Sequence, residues 1–158
     1  MFVAALSLIV STGLLSFYLK AVCQKILRRQ FAKKYFQSIV KANQLEFPSV
    51  RKAFEDFGAS VEYPRLLIAL KRDFLALTYL LRNAANVNQR CTYEEQLLIL
   101  YFRLVLVSLI ARHWLKLREA SAALKLTVIL QYFANVVGER VNTLRFGNLT
   151  AFDYLVKL

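Results

Sequence analysis

Residues 1–19 read MFVAALSLIVSTGLLSFYL, and KAVCQKILRR follows at 20–29. The first stretch contains no charged side chain. As a helix it spans about 28 Å at ~1.5 Å per residue, close to the ~30 Å hydrocarbon core of a bilayer. Phe17 and Tyr18 stand at its end, where aromatic rings favour the membrane interface. A cleaved signal peptide needs a basic segment before the apolar run and a small-residue cleavage site after it. Nothing basic precedes this run, and Tyr18-Leu19-Lys20-Ala21-Val22 is not an A-x-A pattern. A lipoprotein reading of Cys23 fails too, because Lys20 stands where an apolar residue is expected three places earlier. Residues 1–19 therefore read as an uncleaved transmembrane anchor.

The flank sets the expected orientation. Lys20, Lys25, Arg28, Arg29, Lys33 and Lys34 follow the run with no acid among them. By the positive-inside rule the N-terminus lies outside. Residues 20–158 are then expected on the cytoplasmic, or organelle-matrix, side of a single-pass membrane protein. The same six cations are the candidate membrane-surface residues, each worth ~1 kcal/mol against anionic headgroups when close to them. Membrane lipids, anionic ones included, are thus the first expected partners. Cys23 and Cys91 would lie in a reducing compartment. Cys23 reads as a small apolar residue facing a neighbouring helix.

Composition agrees with a membrane or anionic partner. Hydrophobic residues make up 58% of the 158, above the ~45–50% usual for globular chains. Twenty-two Lys and Arg against ten Asp and Glu give a formal charge of +12. Such hydrophobicity excludes intrinsic disorder. Two cysteines exclude a disulfide-dense scaffold and a four-thiolate zinc site.

Beyond the anchor the sequence predicts helices. No Gly or Pro occurs between Leu14 and Phe47. The anchor is therefore expected to continue as a basic juxtamembrane helix over 20–46, with Leu27, Phe31, Tyr35 and Ile39 as an i, i+4 stripe. Phe47-Pro48 ends it and starts a short helix to Phe57, stopped at Gly58. Tyr63-Pro64 opens a helix to Asn83 whose core face is Leu66, Leu67, Leu70, Phe74, Leu77 and Leu81. Residues Asn83–Asn88 read as a loop.

Thr92-Tyr93-Glu94-Glu95 is a capping-box pattern. The run from Leu97 to Ala111 is apolar all round except for Arg103 and Ser108. Fifteen residues span only about 22 Å, so a central core helix is preferred to a second membrane pass. A last long helix runs over 120–143. Phe146-Gly147-Asn148 is expected to end it, with Thr150 to Asp153 starting a final turn. The fold expected is all-α: anchor 1–19, juxtamembrane helix 20–46, a compact bundle of three to four helices over 47–145, and a tail with a short helix over 146–158.

The chemistry is sparse. His113 is the one histidine, and no cluster of ligands accompanies it. Glu55-Asp56 and Glu94-Glu95 are adjacent on helices and point ~100° apart, so neither pair converges as an acid–base dyad. No phosphate-binding glycine loop, G-x-S-x-G or H-E-x-x-H motif occurs. No catalytic, cofactor-binding or metal-binding residue is assigned, no cofactor is expected, and the chain reads as a non-enzyme. Arg103 stands apart, since a cation within an apolar helix needs a partner. The plainer expectation is an internal pair with Asp73, Glu55, Asp56 or Glu139, and the sharper one is an ion pair at an interface.

The functional expectation is an accessory, scaffold or assembly subunit that docks a basic helical bundle on the inner face of a larger membrane protein complex. The alternative is a membrane-tethered binding module for an anionic partner, nucleic acid or an acidic protein. Nucleic acid is not favoured, because the cations are scattered rather than gathered in a stripe. A third reading is a small pigment- or quinone-binding helical subunit. No small-molecule substrate is evident.

Overall fold

In the computed structural model of the chain, the described backbone covers residues 2–31, 35–56, 62–83 and 91–156. Side chains are described for 3–31, 35–56, 62–83 and 91–143. These residues form α1 (Phe2–Leu27), α2 (Phe36–Asn43), α3 (Phe47–Asp56), α4 (Tyr63–Asn83), α5 (Tyr93–Trp114) and α6 (Ala120–Val156), with no strand among them. Lys33, Lys34, the expected stop at Gly58 and the loop residues 84–88 lie outside the described residues.

Local signals start three of the helices where they were expected. α3 and α4 each begin one residue before their proline, so Pro48 and Pro64 sit in the first turn, where a missing N–H costs no helical bond. At α5 the Glu95 N–H donates to Thr92 Oγ1 at 3.4 Å, and the Thr92 N–H donates to Glu95 Oε2 at 3.1 Å. That is a complete capping box.

The centre of the bundle is α6. Ala122, Ala123, Leu126, Thr127, Ile129, Leu130 and the run Tyr132–Gly138 are all buried, and every other helix packs against it. This corrects the expectation that 97–111 is the central helix. α5 buries one stripe, Leu98, Phe102, Val105 and Leu109, and leaves the other side open. α4 and α5 run antiparallel, with Tyr63 stacked on His113 near one end and the Phe74 ring 4.1 Å from Phe102 midway. At the other end Arg140 Nη1 donates to Leu81 O at 2.8 Å, and Nη2 pairs with buried Glu95 at 2.5 Å.

The long juxtamembrane helix is not present. α1 ends at Leu27, and α2 begins only at Phe36. No breaker residue causes this; the docking of aromatics onto α6 does. Phe31 meets Tyr132 edge-on at 5.4 Å, and Tyr35 crosses α6 at Gly138, where a Cβ would overlap the Tyr35 Cβ and lie 2.9 Å from its Cγ. Asn135 Oδ1 accepts the Phe36 N–H at 3.0 Å, and Asn142 Nδ2 donates to Tyr35 Oη at 3.0 Å. α6 thus caps α2 through one stripe, 135, 138 and 142. Asp73 of α4 does the same for α3, its Oδ2 accepting the Glu46 and Phe47 N–H groups, each at 2.7 Å.

α6 also outruns expectation at its far end. Its backbone stays helical to Val156, through Phe146-Gly147-Asn148, so no separate short helix starts at Thr150. A helical Gly costs only ~1 kcal/mol and is a weak stop by itself. Between α5 and α6 the chain turns at Leu115–Glu119, with Lys116 at φ 52°. Arg112 Nη1 donates to Arg118 O at 3.3 Å and to Ser121 Oγ at 2.8 Å across that turn.

Candidate functional site

Among the described residues three helices are long and apolar enough to cross a membrane: Val3–Leu27, Tyr93–Trp114 and Ala120–Thr143. They differ in what surrounds them. Only 6% of the α1 stretch is buried within the protein, against 28% for α5 and 67% for α6. α1 leaves the bundle as a bare apolar rod, with every residue from Val3 to Tyr18 exposed. Ser7, Thr12 and Ser16 turn their hydroxyls back to helix carbonyls at 2.7–2.9 Å, so these three polar groups are satisfied within the helix. Its last turns, from Leu19, pack on α5 and α6. Cys23 is fully buried there, with Sγ 4.0 Å from Leu97 O.

The basic exit is partly engaged. Lys20, Lys25, Arg28 and Arg29 are exposed, and Arg29 pairs with Glu139 at 3.5 Å while its guanidinium lies 5.5 Å from the Phe31 ring centre. Beside them a groove of about 380 Å³ opens between α1, α5 and α6. Gln24, Arg28 and Lys125 supply its polar edge, and Leu27, Leu124 and Val128 its apolar floor, with Tyr101 from α5 between them. Sequence reasoning found Arg28 but missed Lys125 and Tyr101, because no local pattern says which turn of α6 or α5 faces α1.

The second surface is the outer side of α5. Leu100, Arg103, Leu104, Val107, Ala111 and Trp114 recur at helical spacing, and all are exposed. Arg103 therefore does not make the expected internal pair. It sits opposite the stripe that α5 turns to the core, and among the described residues no carboxylate lies within ion-pair distance of it. Three of the four proposed acids are otherwise engaged, Asp73 with the start of α3, Glu55 with Arg51 and Glu139 with Arg29, and Asp56 is exposed without pairing with Arg103.

No constellation of reacting groups appears among the described residues. No three of His, Cys, Asp and Glu converge there as a metal set. His113 Nδ1 lies 2.6 Å from Glu119 Oε1, and its ring stacks on Tyr63 at 3.5 Å. Burial, and then the nearby Glu119 carboxylate, hold the Tyr63 hydroxyl above its usual range, and the buried oxygen has no hydrogen-bond partner. These contacts staple α4 to the α5–α6 turn. A second hollow of about 490 Å³, between α3 and α4, carries Glu46, Glu62 and Arg65 at its edge, and Glu46 is paired with Arg72 at 3.1 Å. No protein-family model, curated protein or solved structure matches this chain.

Proposed function

We propose that this is a non-enzymatic, membrane-anchored accessory or assembly subunit. In this reading α1 crosses the bilayer once with its N-terminus outside. The bundle stands on the cytoplasmic or matrix side, and the outer face of α5 docks on an integral membrane partner. The observation that carries the reading is the contrast between α1 and its neighbours. Residues 3–18 are exposed and take no cover from the other described residues, and burial in lipid would remove that long apolar surface from water.

A single crossing is supported by what packs on α6. If α6 spanned the membrane with the bundle intact, α4 would enter with it. Its exposed Arg65, Lys71, Arg72 and Arg82 would then face hydrocarbon, at ~2.5–3.5 kcal/mol or more for each cation at mid-depth. α5 carries Arg103 on its outer face for the same argument. A protein partner with an apolar surface and a carboxylate opposite Arg103 satisfies that face where lipid tails do not.

The test is purification of the full chain from its native membrane in mild detergent. A co-migrating integral membrane protein is expected. Leu104→Glu with Val107→Glu should lose it while helicity and thermal unfolding stay as in the parent, since both side chains point outward. Retention of the partner by that variant would remove the α5 face from the proposal. Bound nucleic acid released by salt would support the anionic-partner alternative instead.

A further inference from the structure

We propose that the groove between α1, α5 and α6 binds one anionic phospholipid, its phosphate held by Arg28 and Lys125 and its first chain carbons lying on Leu27, Leu124 and Val128. The proposal rests on α1 being the membrane anchor. Gln24 and Arg28 stand four and eight residues past Lys20, or about 6–12 Å further along the helix. The headgroup layer extends roughly 5–8 Å beyond the hydrocarbon, and Lys20 reaches outward from its own depth by snorkelling. The groove therefore sits where phosphates are.

Charge supports the same occupant. Among the described residues neither Arg28 nor Lys125 pairs with a carboxylate, whereas the adjacent Arg29 pairs with Glu139. Arginine offers a phosphate two parallel N–H bonds, and lysine adds a point charge. Among the described residues the Tyr101 hydroxyl makes no hydrogen bond, so it adds a donor at the groove. A soluble phosphate would use the cations and leave the apolar floor wet; a phospholipid uses both. At about 380 Å³ the groove holds a headgroup and the start of its chains. The rest continues into the bilayer beside the exposed side of α1.

The experiment uses the full chain in phosphatidylcholine vesicles with trace spin-labelled phosphatidylglycerol or spin-labelled phosphatidylcholine, and reads the motionally restricted fraction of each. Two cations near the surface, at ~1 kcal/mol each, predict a roughly thirtyfold preference for phosphatidylglycerol. Arg28→Gln with Lys125→Gln should bring the preference near parity, while Lys41→Gln with Lys52→Gln, equal in charge but on α2 and α3, should keep it. Val128→Trp fills the groove without changing charge and should cut the preference too. Equal loss in the two double variants would overturn the site in favour of diffuse surface charge, and a full preference in Val128→Trp would overturn the groove. Displacement of the labelled lipid by excess inorganic phosphate would overturn the lipid as occupant. Alkaline carbonate separates the levels. Release of the chain from the vesicles removes the anchor and this proposal with it. Retention without any lipid preference removes the groove alone.

Discussion

α1 and α6 are both apolar enough to cross a membrane, and the bundle treats them in opposite ways. Two thirds of α6's apolar stretch is buried by the chain's other helices, while almost none of α1's is. Hydropathy measures what a helix must be covered by and says nothing about who supplies the cover. α6 receives it from five helices; Asn135 caps α2 and the Arg140–Glu95 pair holds α5, while Asp73 of α4 fixes the start of α3 beside them. Among the described residues α1 receives it only from Leu19 onward, and the rest of its apolar surface stays exposed.

The sharpest way to break this comparison is to remove apolar bulk from each helix. Phe133 is fully buried on α6, and Ile9 is 70% exposed on α1. Phe133→Ala should destabilise the bundle by about 3–5 kcal/mol, from lost transfer energy and the cavity left behind. Ile9→Ala should leave bundle unfolding in detergent unchanged. Thermal or urea unfolding followed by circular dichroism measures both. A comparable loss for Ile9→Ala would mean that α1 packs along the bundle after all.

The glycines give a smaller version of the same contrast. A Cβ at Gly138 meets Tyr35, whereas nothing lies within 4 Å of one at Gly13. Gly138→Ala must push α2 away from α6 and should cost about 1–3 kcal/mol as overpacking does. Gly13→Ala should be neutral or gain ~0.5–1 kcal/mol of helix preference. Tyr35→Gly in the Gly138→Ala background removes the clashing Cβ and should show non-additive rescue in a double-mutant cycle.

What was legible in the sequence was what is written locally. The uncharged run and its basic flank marked α1, Pro48 and Pro64 marked the starts of α3 and α4, and Thr92 with Glu95 marked α5. The stop of α1 was not legible, because it is imposed from residue 132 onward: Phe31 and Tyr35 leave the helical path to reach Tyr132 and Gly138. The choice of central helix was not legible either. Residues 97–111 are apolar on both sides, and the side facing α6 is decided only when the helices meet. Arg103 stands out in the sequence as a cation among apolar neighbours, yet its direction depends on that same choice. Gly147 looked like a stop because the sequence shows its low helix preference and conceals the continuity of the turns around it.

The smallest effect concerns how two of the covering helices, α3 and α4, are held together, and its sign is informative. Asp73 is fully buried, its Oδ2 accepts two N–H groups from the start of α3, and its Oδ1 has no hydrogen-bond partner. Burial pushes its carboxyl above the usual carboxylate range, against the lowering effect of the Phe47 and Glu46 N–H groups and of Arg72. A carboxyl whose folded pKa is raised keeps its proton longer in the native state than in the unfolded chain. Its contribution is then greatest below the unfolded value of ~3.9 and is lost as pH rises from there through the folded pKa. Asp73→Asn keeps an acceptor for the two N–H groups and has no proton to lose. The stability of the parent relative to this variant should therefore fall as pH rises through that window and level off above it, in paired unfolding curves at successive pH values. A difference that instead rises with pH would show that the two caps and Arg72 outweigh burial, and that an ionised Asp73 holds α3 in place.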